Sequence, residues 1–144
     1  LYWGLRGGGG NFGIVTSFQY RVHPIGRTVL SGDVTWPLEQ ARDAMRFWHE
    51  QAQAAPDALN LNAGVAAAPG GGGVFSVEAT WTGDLAAGER ALAALRGFGK
   101  PISDTIAPMG YVALQAKDES PHGLNYYAKN GFLTALDDGG IDLI

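Results

Sequence analysis

Glycine residues near the start of the chain are the first feature with a chemical use. Residues 7 to 10 are four consecutive glycines, and Gly13 follows Asn11 and Phe12. A main chain without Cβ atoms lets a flat or phosphorylated ligand approach closely, and its free N–H groups can form an anion-binding concavity. The Asn11 side chain would add a hydrogen bond. The other interpretation is a glycine-rich turn or bulge ahead of a strand, and the residue types alone leave both open.

The residues around these glycines argue against two phosphate-binding motifs. Gly8, Gly10 and Gly13 have the spacing of the dinucleotide fingerprint, but that fingerprint needs a helix directly after it. Residues 14 to 22 instead alternate between apolar and polar with period 2, which is typical of a strand. The nucleoside-triphosphate loop requires Gly-Lys-Ser/Thr, and the chain has no such tripeptide. A nucleotide-phosphate hydrolase is therefore not expected.

Other residue types that often carry chemistry are poorly placed for it. His23, His49 and His122 stand far apart and form no His-x-His or His-x-x-x-His pair, so no metal site is expected. The adjacent acids at residues 118–119 and 137–138 point in different directions, which makes them poor acid–base partners. Without Gly-x-Ser-x-Gly or cysteine, acyl transfer by a serine elbow and thiolate chemistry are not supported.

Size and charge restrict the class of partner. The 144 residues are 46% apolar, which suits one domain with a packed core. The ten basic residues are scattered and the net charge is -4, so the positive face of a nucleic-acid binder is not expected. No apolar run approaches the roughly 20 residues of a membrane span. Since the chain begins with Leu1 and its first methionine is Met45, we expect a segment of a longer protein.

Periodicity predicts the elements that would position these residues. In chain order they are strands at residues 14 to 22 and 28 to 36, a helix at 37 to 54, a hairpin of strands at 59 to 67 and 74 to 81, a helix at 85 to 96, a short strand at 102 to 106 and a short helix at 109 to 116. The predicted fold class is α+β, an antiparallel β-sheet with helices packed on one face.

The beginning of the chain resembles a known flavoprotein family. Residues 1 to 16, LYWGLRGGGGNFGIVT, resemble the segment that closes the FAD-binding domain of berberine-bridge-enzyme-like oxidases, which are PCMH-type flavoproteins of the vanillyl-alcohol-oxidase class. Residues 18 to 24, FQYRVHP, are similar to that family's exit strand. Residues 36 to 38, 109 to 115 and 127 to 133 are weaker landmarks of its substrate domain. The resemblance covers nearly the whole chain.

The resemblance implies a division of the chain and a cofactor. Residues 1 to 26 would be the terminal strand segment of the FAD-binding domain. Residues 27 to 144 would be a substrate-binding domain, truncated at its C-terminal end, whose sheet roofs the flavin ring. The parent protein would transfer hydride from a small organic substrate to FAD. The residues expected beside the cofactor are Gly9, Gly10, Asn11, Phe12, Gly13 and Ile14.

The same resemblance implies what this chain lacks. In the family, most of the FAD site precedes this segment, and the strands that supply the catalytic base follow it. We therefore expect the chain alone neither to retain FAD nor to turn over substrate. Four residues are candidates for orienting the substrate or accepting a proton above the flavin: Tyr111, Tyr126, Tyr127 and Lys129. The alternative for the tyrosines is a place in the core with the hydroxyl at its edge.

A second hypothesis needs no cofactor. A sheet covered by helices on one side only would leave an apolar face, through which a non-enzymatic α+β module binds a small ligand or self-associates.

Overall fold

The computed structural model describes residues 1–68, 70–117, 123, 125 and 127–143. The strands are β1 (Thr28–Pro37), β2 (Leu59–Ala67), β3 (Gly73–Trp81), β4 (Ser103–Asp104) and β5 (Ala107–Gly110). The helices are α1 (Tyr2–Leu5), α2 (Ala41–Gln53), α3 (Leu85–Gly97), α4 (Tyr111–Ala116) and α5 (Asp138–Ile141), with single turns of 3-10 helix at Gly9–Phe12 and Leu38–Gln40. Within these described ranges, no helix is long and apolar enough to cross a bilayer.

All the strands belong to one antiparallel sheet. Its order is β2, β3, β1, and the free edge of β1 is paired by β4 and β5 one after the other. The predicted hairpin is confirmed, because β2 and β3 pair from Leu59 and Trp81 to Ala67 and Gly73. Three glycines in the connecting turn have positive φ values of 80° to 102°, a conformation that suits glycine.

The core lies between this sheet and the two longer helices. In β3 every second side chain is buried, whereas β1 is buried continuously from Val29 to Gly32 and alternates only after that; Trp36 and Phe75 are fully inaccessible. Ala44 and Met45 of α2 and Leu92 of α3 close the core from the same side. Burial of each large apolar side chain contributes about 1.5–3 kcal/mol. The predicted α+β architecture, an antiparallel sheet with helices packed on one face, is therefore confirmed for the two longer helices.

Helix α3 begins where its sequence predicts. Asp84 caps the first turn, with its carboxylate oxygen accepting from the Ala87 N–H at 2.9 Å. A carboxylate at this position satisfies a free N–H group and interacts favourably with the helix dipole. The helix ends at Gly97, one residue beyond the predicted end.

The edge beside β1 bends at Thr105, which separates β4 from β5. The Thr105 hydroxyl accepts from the Asp33 N–H, and the Thr105 N–H donates to the Asp33 carbonyl oxygen, both at 2.9 Å. The bend turns Ile106 into the core, where 6% of it stays exposed. Gly32 lies directly under the bend, with φ +154°. The predicted strand over residues 102 to 106 is therefore only two residues long.

Arg96 connects this bend to helix α3. Its guanidinium lies 3.0 Å from a Glu89 carboxylate oxygen and 3.4 Å from one of Asp104, and it donates to the Ile106 carbonyl oxygen. These contacts hold the bend against the C-terminal turn of the helix.

Three further predictions need correction. The helix predicted at residues 37 to 54 begins at Ala41, because β1 extends to Pro37 and a 3-10 turn follows it. Residues 13 to 26 form neither helix nor strand, so the terminal strand predicted at residues 14 to 22 is wrong for this chain. An alternating pattern gives a strand only where a neighbouring strand completes its hydrogen bonds, and the apolar side chains here, such as Phe18 and Tyr20, are exposed. The helix predicted at residues 109 to 116 begins at Tyr111, since the preceding residues pair with β1.

Helix α5 is attached to α2 by two arginines. Arg42 Nε lies 2.6 Å from an Asp142 carboxylate oxygen, and Arg46 Nε lies 2.6 Å from Asp138 Oδ1. The hydrogen bond from Arg46 lowers the pKa of Asp138 below its usual value, and the same contact raises the pKa of Arg46. Ile141 of α5 is buried at the edge of the core.

We expect acid to release α5. Because the pKa of Asp138 is lowered in the folded chain, the attachment is fully present above the unfolded value of about 4 and is lost as the pH falls through the lower folded value. Hydrogen exchange at the Ile141 N–H, which donates to the Asp137 carbonyl oxygen, should therefore accelerate relative to the core below about pH 4. Asp138→Asn should show the faster exchange already at neutral pH. Equal exchange in both proteins at neutral pH would contradict this assignment.

Candidate functional site

The glycine-rich segment forms a tight turn closed by Phe12. The Asn11 side-chain amide donates to the Gly8 carbonyl oxygen at 2.9 Å within the 3-10 turn. A Cβ atom at Gly8 would collide with the Phe12 ring and the Gly4 carbonyl oxygen. Residues 4 to 12 therefore match the turn interpretation, and the Asn11 amide group is already used in a hydrogen bond to Gly8.

The remaining glycines present bare main chain. A Cβ atom at Gly9, Gly10 or Gly13 would meet no atom within 4 Å. All six residues from 9 to 14 are exposed, and Ile14 is 93% exposed. Main chain without Cβ atoms lets a flat aromatic ring approach closely. The segment is therefore compatible with the FAD that the resemblance implies, and its contact with the cofactor stays a prediction.

The face of the sheet opposite α2 and α3 is polar. Ser31 and Thr80 hydroxyls on adjacent strands lie 2.8 Å apart, and those of Thr35 and Ser76 lie 3.0 Å apart. These pairs satisfy each other's hydrogen bonds, so the hydroxyls hold the sheet together as well as making it polar. The apolar face that self-association would use is not what the sheet presents here.

Helix α4 lies across one end of this face and makes a cavity of about 260 Å³. It packs against β1 and β5, with Leu114 nearly buried. The helices are thus not all on one side of the sheet, because this short one bounds the polar face. The lining residues are Ile25, Asn60, Asn62, Glu78, Thr80, Thr82, Tyr111, Leu114 and Gln115.

A row of charged and amide side chains crosses the middle of the polar face. Glu78 on β3 is directly opposite Asp33 on β1 and Asn62 on β2. The negative charge of Asp33 is compensated by Lys117, whose Nζ lies 3.6 Å from Asp33 Oδ2. Among the described residues, no basic side chain forms an ion pair with Glu78. Two carboxylates and one ammonium leave this row negative.

Of the candidate substrate-binding residues that the sequence suggests, the structure places only one in the cavity. Tyr111 is half-buried and lines the cavity. Tyr127 is 86% exposed, with Lys129 Nζ 5.9 Å from the centre of its ring, and neither residue lines that cavity. Tyr126 lies outside the described residues. These positions leave the substrate role of Tyr111, Tyr127 and Lys129 a prediction.

The sequence interpretation missed the polar residues of the strands. Asn60, Asn62, Glu78 and Thr80 line the cavity from β2 and β3. They occupy the even-numbered positions of strands whose odd-numbered positions are apolar, so the alternation itself could have identified them.

Comparisons with known proteins agree with the fold. No protein-family model matches the chain. It is 29% identical to an FAD-linked oxidoreductase of Dictyostelium discoideum over 100% of the chain and 32% of that protein. It is 32% identical to (R)-6-hydroxynicotine oxidase of Paenarthrobacter nicotinovorans over 81% of the chain and 27% of that protein. The crystal structure of 6-hydroxy-D-nicotine oxidase from Arthrobacter nicotinovorans superimposes with a TM-score of 0.66 at 29% identity, covering 83% of this chain and 27% of the other. The chain thus spans about a third or less of the proteins that it matches.

Proposed function

We propose, from the premise that this chain is related to the FAD-linked oxidoreductases, that it forms the roof of the substrate pocket in such an enzyme. In this proposal residues 27 to 144 are the substrate domain, and residues 1 to 26 are the end of the FAD-binding domain. The single observation that carries the proposal is the polar, cavity-bearing sheet face on a fold that matches a flavin-dependent oxidase over 83% of the chain.

In this proposal the cofactor carries out the redox reaction, and the residues of this chain bind the substrate. FAD, when bound, accepts hydride from a small organic substrate. The chain's residues would orient that substrate, because the cavity offers amide, hydroxyl and carboxylate groups on a rigid sheet. Tyr111 lines the cavity with a phenol that can donate or accept a hydrogen bond. Ile25 and Leu114 add apolar surface to the same cavity.

The glycine-rich segment would lie beside the cofactor. Gly9, Gly10, Asn11, Phe12, Gly13 and Ile14 stay the proposed contact residues, for which exposure and bare main chain are the support.

Gly10→Val in the flavin-binding protein that contains this chain should weaken FAD binding at least about tenfold, equivalent to about 1.4 kcal/mol. The change adds a branched side chain where only open space exists in the chain itself, so its fold should not respond. Titration of the apoprotein with FAD, followed by flavin fluorescence, measures the affinity.

A matched control is Gly97→Val, at the last residue of α3, where a Cβ atom also meets nothing. Its FAD affinity should stay unchanged. Equal FAD affinity in the Gly10 and Gly97 variants would contradict the placement of the glycine segment beside the cofactor.

The 144-residue chain by itself should bind FAD weakly or not at all and should be inactive. A visible spectrum recorded after mixing and gel filtration shows whether flavin is retained. Tight, stoichiometric capture would contradict the idea that a neighbouring domain holds most of the cofactor.

The second candidate function is that of a non-enzymatic binding module. The cavity supports it, because a cavity of this kind could bind a small ligand without a cofactor. Self-association through the sheet is expected to be weak, because its uncovered face is polar rather than apolar. Sedimentation equilibrium of the chain tests this directly.

A further inference from the structure

We propose that Glu78 is a specificity-determining residue that selects substrates with a positively charged amine. This inference rests on the proposed function, because it concerns the substrate held against the same sheet face.

Glu78 is the one carboxylate among the nine described residues that line the cavity, and none of the other eight is a lysine, arginine or histidine. The others offer amides, hydroxyls or apolar surface. Glu78 also lines an adjoining depression of about 300 Å³, together with Asp33 and Asn62. A ligand in either space meets this carboxylate.

The position of Glu78 is electrostatically unfavourable for the sheet. Glu78 is half-buried and directly opposite Asp33, and like charges at opposed positions of neighbouring strands destabilise the pair. The only ammonium close to the pair, among the described residues, lies beside Asp33. Glu78 therefore contributes a charge that the fold does not use, while the even positions on either side of it carry hydroxyls that are paired.

The side chains around Glu78 in the cavity are polar but carry no charge. Asn60, Asn62 and Thr80 can each donate or accept hydrogen bonds, so they accommodate the neutral part of a ligand without selecting a charge. The carboxylate does select, because a protonated amine gains a charge-assisted hydrogen bond, whereas a substrate carboxylate would be repelled. The row with Asp33 and Lys117 keeps a net negative charge and adds to this preference.

The test uses the flavin-loaded protein that contains this chain, with benzylamine and benzyl alcohol as an isosteric pair of probes. Their Kd values are measured from the change in the flavin visible spectrum. In Glu78→Gln, which keeps the size and removes the charge, the Kd for benzylamine should rise about tenfold while that for benzyl alcohol changes less than twofold. The melting temperature should not fall, because the repulsion from Asp33 is relieved.

Glu50→Gln is the matched control, since Glu50 is exposed on α2 at the other side of the sheet. It should leave both Kd values unchanged. Equal shifts in Kd for the two probes in Glu78→Gln, or no shift, would overturn the assignment of Glu78 as the specificity-determining residue. If that variant still binds a full complement of flavin, the proposed function is unaffected. A protein that takes up no FAD would overturn both.

Discussion

Gly32→Ala should lower the free energy of unfolding by about 3 kcal/mol. Its Cβ atom would lie 2.5 Å from the Thr105 carbonyl oxygen and 2.6 Å from the Ile106 nitrogen, and φ at Gly32 is +154°. Both neighbours are main-chain atoms in the bend between β4 and β5, so no side-chain rotation can relieve the contact. Urea denaturation of the purified chain measures the effect.

The consequence would extend to the candidate site. Asp33 follows Gly32 directly. Its N–H donates to the Thr105 hydroxyl and its carbonyl oxygen accepts from the Thr105 N–H, so displacing the bend moves the strand that carries this carboxylate. Gly64→Ala is the matched control, because Gly64 is also a strand residue but meets nothing within 4 Å and has no positive φ. It should change stability by less than about 0.5 kcal/mol. Similar losses for the two variants would show that the bend tolerates a side chain.

Trp36→Ala should cost about 3–5 kcal/mol. Trp36 is fully buried, its ring centre lies 6.1 Å from that of Phe75 and 6.4 Å from that of Phe98, and its indole N–H donates to the Phe98 carbonyl oxygen at 2.9 Å. The variant would leave a cavity between the sheet and the chain after α3, and would also leave the partly buried Phe98 carbonyl oxygen without its donor. Thermal unfolding followed by circular dichroism measures the loss.

Two companion variants separate the packing from the hydrogen bond. Trp36→Phe keeps an aromatic ring and removes the donor, so it should cost clearly less than the alanine variant. Trp3→Ala removes the same residue type from a position that is 89% exposed, and it should leave the stability of the 144-residue chain within about 0.5 kcal/mol. Equal losses from Trp36→Ala and Trp36→Phe would mean that the hydrogen bond, rather than ring packing, accounts for the effect.

The sequence predicts one part of the candidate site and not the other. It predicts the glycine segment, because runs of glycine are rare and have few physical uses. The sequence does not distinguish Glu78, because a single acid in an alternating strand resembles an ordinary solvated residue. Its role follows from the strand register, which places it opposite Asp33 and Asn62, and from α4, which completes the cavity at that end of the sheet.

Local patterns in the sequence determined the elements whose stabilising partners are near in the chain. The hairpin of β2 and β3, the amphipathic helix α2 and the capped helix α3 follow from alternation, apolar spacing and Asp84, all of which act over a few residues. Only the tertiary structure decided the rest. Residues 14 to 22 alternate like a strand but are unpaired, and the bend at Thr105 depends on Gly32, which is distant in sequence. Strand pairing and close main-chain contacts join residues that no local pattern connects, and the polar face with its cavity exists only once those contacts are made.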